Sequence, residues 1–186
     1  MKPIEKKILL ESLEGKVEGH LKLVIAEFQN LPESALLKTT PEGGWSIAQC
    51  LDHLNGYGDH YLTEIRKGID RSEDDDELVF RSTWLGQYFT KMMDPDLGKR
   101  KFKTFKNHIP KKDLDANKVI AEFIHQQEQI LSYLRKGKLK NLNSIRIPIS
   151  IAKWIRLKLG DVFQFVIAHN ERHIRQAMRN KASQGS

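Results

Sequence analysis

Apolar residues in this chain recur every three or four positions along four long stretches, and nothing long alternates with a period of two. A 3.6-residue period gathers apolar side chains into one stripe per helix, and that stripe must be buried against another element, so the pattern calls for helices packed on helices. In the first stretch Val17, Leu21, Val24, Phe28 and Leu31 share a face, which predicts a helix from about Ile4 to Leu31, stopped by Pro32. The second begins in GGWSIAQC, where Ser46 is a good N-cap, Gln49 completes a capping box, and Trp45 and Cys50 occupy the two positions of a hydrophobic staple. Its stripe of Ile47, Leu51, Leu54, Tyr61 and Ile65 carries it to about Gly68. A third helix is predicted over about Asp115 to Lys136, and a fourth opens at Gly160-Asp161 with Gln164 at the capping-box position. The chain reads as all-α.

The connections give the bundle a direction. About fifteen residues separate the first two helices, about forty-five the second from the third, and just over twenty the third from the fourth. Long links allow successive helices to run parallel, so the expected fold is a four-helix bundle with long crossover connections, and not a simple up-down-up-down arrangement. Its 186 residues fit one domain, taken as residues 1–180, with a flexible C-terminal tail at 181–186. Within the long segment 70–114, WLGQYFTKMM has the composition of a short helix, and a connection of this length is often functional.

No apolar run approaches the ~20 residues needed to cross a bilayer, and the N-terminal MKPIEKKILLESLEGK has neither the h-region nor the cleavage site of a signal peptide. Cys50 stands alone and can form no intrachain disulfide. A cytoplasmic protein without membrane contact is therefore expected. The net charge of +7 raises the possibility of nucleic-acid binding, and seven cations crowd into KRKFKTFKNHIPKK, residues 99–112, around Phe102 and Phe105. Such a strip can track phosphates and stack bases, but no nucleic-acid motif accompanies it. The segment is expected to be a solvated connection that binds no nucleic acid specifically.

The polar residues within the apolar stripes carry the functional signal. In FVIAHNERHIRQAMRN the stripe Val162, Phe165, Val166 continues through His169 and His173 to Ala177. Residues four apart lie only ~40° round a helix and ~6 Å along it, so the two imidazoles can grip one ion. HNERH is not a zinc-peptidase motif, because the position directly after the first histidine is Asn170, where that chemistry needs a glutamate; Glu171 is two residues on and faces away. A third ligand must come from another helix. His53 lies seven residues after Ser46 and His173 seven before Asn180. If the first and last helices run antiparallel to the middle two, these histidines share one level. His60, about two turns deeper, is the rival ligand.

The combination of GGWSIAQCLDHL with a distant FVIAHNERHIRQ resembles the DinB-like family, including its YfiT-type metal-dependent hydrolases. The resemblance spans nearly the whole chain in the order and spacing of helices. It implies a four-helix bundle with crossover connections and one divalent metal bound by three histidines, which match His53, His169 and His173 in this sequence. All three are present, whereas some members have lost theirs. Relatives include thiol-dependent transferases, and most have no known substrate.

Three neutral imidazoles leave a metal its full charge and an open position, which suits activation of water or of a thiolate. The expectation is a metal-dependent hydrolase or thiol (S-)transferase acting on a small molecule, with a low-molecular-weight thiol as a candidate partner. The ion is expected to be Zn, with Ni, Mn or Fe as alternatives, and the assembly a homodimer. Tyr57 and Glu64 are candidate proton carriers, and Gln176 a candidate partner that fixes the tautomer of His173. The alternative is a non-catalytic metal-stabilised or protein-binding bundle. Cys50 is read as a buried staple residue.

Overall fold

Leu10, Leu13, Val17 and Val24 form the buried edge of the first long helix, α1 (Lys6–Glu27), which ends short of the predicted Leu31 because the chain turns at Phe28. The computed structural model describes residues 2–40, 43–97, 109–111 and 113–184. A short helix, α2 (Glu33–Leu37), follows Pro32. The second long helix, α3 (Ile47–Asp70), starts as its sequence dictates: Ser46 Oγ accepts from the Gln49 amide, and Gln49 Oε1 accepts from the Ser46 amide, both at 3.1 Å. The predicted short helix is α4 (Trp84–Met93), capped by Thr83, and the third long helix is α5 (Ala116–Gly137), capped by Asp115. The last, α6 (Leu159–Ser183), runs past Asn180, and Lys181 and Gln184 bond Glu27 and the Ala35 carbonyl, so the expected tail begins as helix.

The four long helices sit at the corners of a square, with α1 and α3 each packed against both α5 and α6. Contacts fix their directions. His20 meets Glu171 and Glu27 meets Lys181, so α1 and α6 run parallel. Asn55 meets Val119 and Asp59 meets Gln126, so α3 and α5 run parallel as well. Trp45 meets Asn180 and Tyr61 meets Phe165, so α3 and α6 are antiparallel. The first and last helices are thus antiparallel to the middle two, and the α3-to-α5 link is a parallel crossover. Gly58 lets α3 approach α5 closely, since a Cβ there would lie 1.7 Å from Gln126 Oε1.

Strand structure is present although no long alternation predicts it. β1 (Ile4–Glu5) pairs antiparallel with β2 (Val79–Phe80), tying the N-terminus to the long connection. Between α5 and α6, β3 (Arg146–Ile149) pairs antiparallel with β4 (Ala152–Lys158) as a hairpin whose inner face buries Ile147, Ile149 and Leu157 on the bundle. These additions leave the chain a mostly helical four-helix bundle.

One predicted cap is corrected. Helix α6 begins at Leu159, and Asp161 is inside its first turn, where it caps nothing. Its fully buried carboxyl accepts instead from the Ser82 hydroxyl, the Thr83 amide at 3.1 Å and the Thr83 hydroxyl at 2.7 Å. Thr83 Oγ1 in turn accepts from the Gly86 amide at 2.9 Å, so Asp161 seats the start of α4 on α6. Among the described residues no helix is long and apolar enough to cross a membrane. The basic strip at 99–112 lies outside the described residues except for 109–111.

Candidate metal centre

His53 sits two turns into α3 on the side turned to α6, and His169 and His173 sit one turn apart on the facing side of α6. The antiparallel pairing of these helices brings all three to one level. The nitrogen atoms that could serve as ligands lie within 4.8 Å of one another, and the Nε2 atoms of His53 and His169 are 3.2 Å apart. His53 and His169 are buried, and His173 is half-buried.

The donor set fits a divalent ion. Gln176, one turn beyond His173, places Oε1 3.0 Å from His173 Nδ1. A carboxamide oxygen can only accept, so Nδ1 carries the proton and Nε2 keeps its lone pair for the cluster. Burial, reinforced by the neighbouring His53, pushes the His173 pKa down to about 3, which holds this imidazole neutral at physiological pH. Ligand imidazoles must be neutral. No carboxylate belongs to the group, so an ion there would keep its full charge. Replacing Gln176 by Ala should weaken metal affinity by roughly 10–100-fold without unfolding the protein, measurable by competition with a chromogenic chelator.

The other candidates have different tasks. His60 lies half-buried with Nε2 2.9 Å from the Pro148 carbonyl, where it anchors the hairpin to α3 outside the cluster. Glu64 pairs with Lys67 at the surface, at 2.7 Å. Asn170 bonds Gln127 of α5 at 3.0 Å in the interior, and Glu171 accepts from His20 Nε2 at 2.6 Å while also pairing with Arg175. The intervening residues of HNERH therefore tie α6 to its neighbours. Cys50 is fully buried, and burial lifts its thiol pKa to about 12, so it is no nucleophile.

The bond from His20, helped by Arg175, holds the Glu171 carboxyl down at about 2. A carboxylate depressed on folding contributes stability above its unfolded pKa of ~4.3 and loses it as pH falls toward the folded value. Chemical denaturation at stepped pH should show stability declining between those limits, and Glu171→Gln should flatten that decline.

Two aromatic residues complete the walls. Trp45, expected only as half of a staple, stacks on His173 with centroids 5.6 Å apart and also packs on His53 at 4.9 Å. Its place just before the Ser46 cap, about two helix turns ahead of His53, was the available signal. Tyr57 lies edge-on to His169 at 4.6 Å and to His53 at 5.0 Å, and burial lifts its phenol pKa to about 12, so it stays protonated and can donate. Tyr57 and Phe165, the latter stacked on His169, also face a pocket of about 50 Å³. The hairpin and α4 close that pocket from outside the bundle.

A crossover-connected four-helix bundle with three histidines converging between two antiparallel helices defines a class of protein. The sequence model of the DinB superfamily matches residues 17–177, and the chain belongs to that superfamily. Among solved structures it is similar to YfiT from Bacillus subtilis, described as "a probable metal-dependent hydrolase with an unusual four-helix bundle topology". The likeness covers 97% of this chain and 87% of that one, at 16% identity and a TM-score of 0.56, and it concerns the fold. No curated protein matches the chain in sequence.

Proposed function

We propose that His53, His169 and His173 hold one divalent ion, zinc in the first instance, and that the chain is a metal-dependent enzyme hydrolysing a small molecule or transferring a thiol to it. The observation that carries this reading is the convergence of three imidazoles beside an apolar pocket, with no carboxylate in the cluster to quench the ion's charge. Bound there, a divalent ion supplies Lewis acidity that makes a weak nucleophile, water or a thiol, reactive near neutral pH. The protein's own groups orient and protect. Gln176 fixes the His173 tautomer, Trp45 covers His53 and His173, and Tyr57 holds a phenolic proton beside His53 and His169. The description of YfiT as a probable metal-dependent hydrolase supports the hydrolytic branch.

The test is turnover of a panel of small esters and amides, and of electrophiles offered with cellular thiols, by chelator-treated and reloaded protein. Metal-dependent turnover in either half of the panel is the expected result. Equal rates with and without metal across the whole panel would move the reading to a non-catalytic bundle.

A further inference from the structure

The pocket beside the histidines has a chemical character of its own. Tyr57 and Phe165, which touch the cluster, line it together with Met92 of α4, Leu157 of the hairpin and Ile151 at the hairpin turn, 44% exposed. Among the described residues that line it, none carries a charge. Its cavity volume, about 50 Å³, is well short of the ~300–1,000 Å³ of a site that holds a whole drug-sized ligand, so it suits one part of a substrate. One polar group stands out in this apolar lining. The Ser150 hydroxyl is buried and completes no hydrogen bond, the Tyr61 hydroxyl beside it accepting from the Ser150 amide at 3.3 Å. A buried hydroxyl without a partner costs free energy that a ligand's acceptor atom would recover.

We propose that this pocket receives the uncharged part of the substrate: an alkyl or aryl group with a neutral hydrogen-bond acceptor, to which Ser150 donates. The proposal rests on the reading of the histidine cluster as the reactive centre, since the pocket shares Tyr57 and Phe165 with that cluster. The lining selects against charge, because a cation or anion entering it would lose its hydration with nothing to pair against. Methionine thioethers adapt to varied apolar shapes, which fits a family of related hydrocarbon groups more than one rigid ring.

The probes are n-alkyl amides from propanamide to hexanamide, with hexylammonium as the charged counterpart, titrated into isotopically labelled full-length protein and followed by amide chemical shifts. Saturable shifts are expected at Ser150, Ile151, Met92 and Leu157, with Kd falling about fourfold per added methylene until the pocket is full. Hexylammonium should bind at least tenfold more weakly than hexanamide, and Ser150→Ala should weaken the amides about fivefold. Equal binding of hexylammonium, shifts elsewhere, or unchanged amide affinity in Ser150→Ala would overturn the assignment. Running the series on chelator-treated protein separates the two readings. Amide binding without stoichiometric zinc leaves the pocket standing and sinks the metal site, and zinc binding without amide binding does the reverse.

Discussion

Replacing His169 by Ala is expected to leave well below one ion per chain after loading with zinc and gel filtration, and to abolish metal-dependent turnover. His169 is buried and contributes the nitrogen 3.2 Å from that of His53, so its loss removes one of three donors and leaves the other two on opposite helices. The loss of affinity should exceed the roughly 10–100-fold that losing an orienting partner costs. The bundle should still fold, because its two apolar clusters are built from other residues. His60→Ala is the paired control: it breaks the bond to the Pro148 carbonyl and should retain the metal. Elemental analysis decides, and metal kept by His169→Ala but lost by His60→Ala would relocate the site.

Asp161→Ala is expected to cost roughly 3 kcal/mol of stability, most of it from donors stranded in the interior. The Ser82 hydroxyl and both donors of Thr83 would lose their acceptor, and Thr83 would lose the group that orients its cap on α4. Packing multiplies the effect. Gly86 lies so close to Asp161 that a Cβ there would come within 2.1 Å of its Cγ, and Gly160 likewise accepts the ring of Phe80. The truncation therefore opens a gap where α4 meets α6. Urea denaturation measures the cost, and amide exchange should show α4 losing protection ahead of the four long helices. A stability change below ~0.5 kcal/mol, the level of an indifferent surface substitution, with α4 exchanging as in the wild type, would rule out this seat.

What could be read in the sequence follows the range over which each interaction acts. The start of α3 was legible because a capping box closes within three residues, from Ser46 to Gln49. The paired histidines of α6 were legible because a spacing of four is a property of the helix itself. His53 required a statement about helix direction, and the crossover connection supplied it. Asp161 looked like a cap because serine, threonine and aspartate at a helix start usually are caps, whereas its partners lie 78 and 79 positions away. The hairpin left a trace in Ile145, Ile147 and Ile149, all buried and alternating. Its shortness and Pro148 in its middle hid that trace, since proline argues against a strand unless the strand lies at an edge, as both strands of a two-stranded sheet do. The roles of Trp45 as a wall and of Ser150 as an unpaired donor depend on neighbours from three or more elements, which no local pattern encodes.

The crossover has one more effect, on the unfolded chain. His53 and His169 stand 116 positions apart, one near the beginning of the second long helix and the other in the last. An ion shared between them is a cross-link, and it ties together a loop that spans most of the protein. A covalent link of that span restricts the unfolded ensemble by on the order of 5 kcal/mol. Coordination is reversible and contributes only to the extent that free metal exceeds its dissociation constant. The same three imidazoles that would make a nucleophile reactive would thus also act as a clasp, coupling the thermal endurance of the bundle to the zinc available around it.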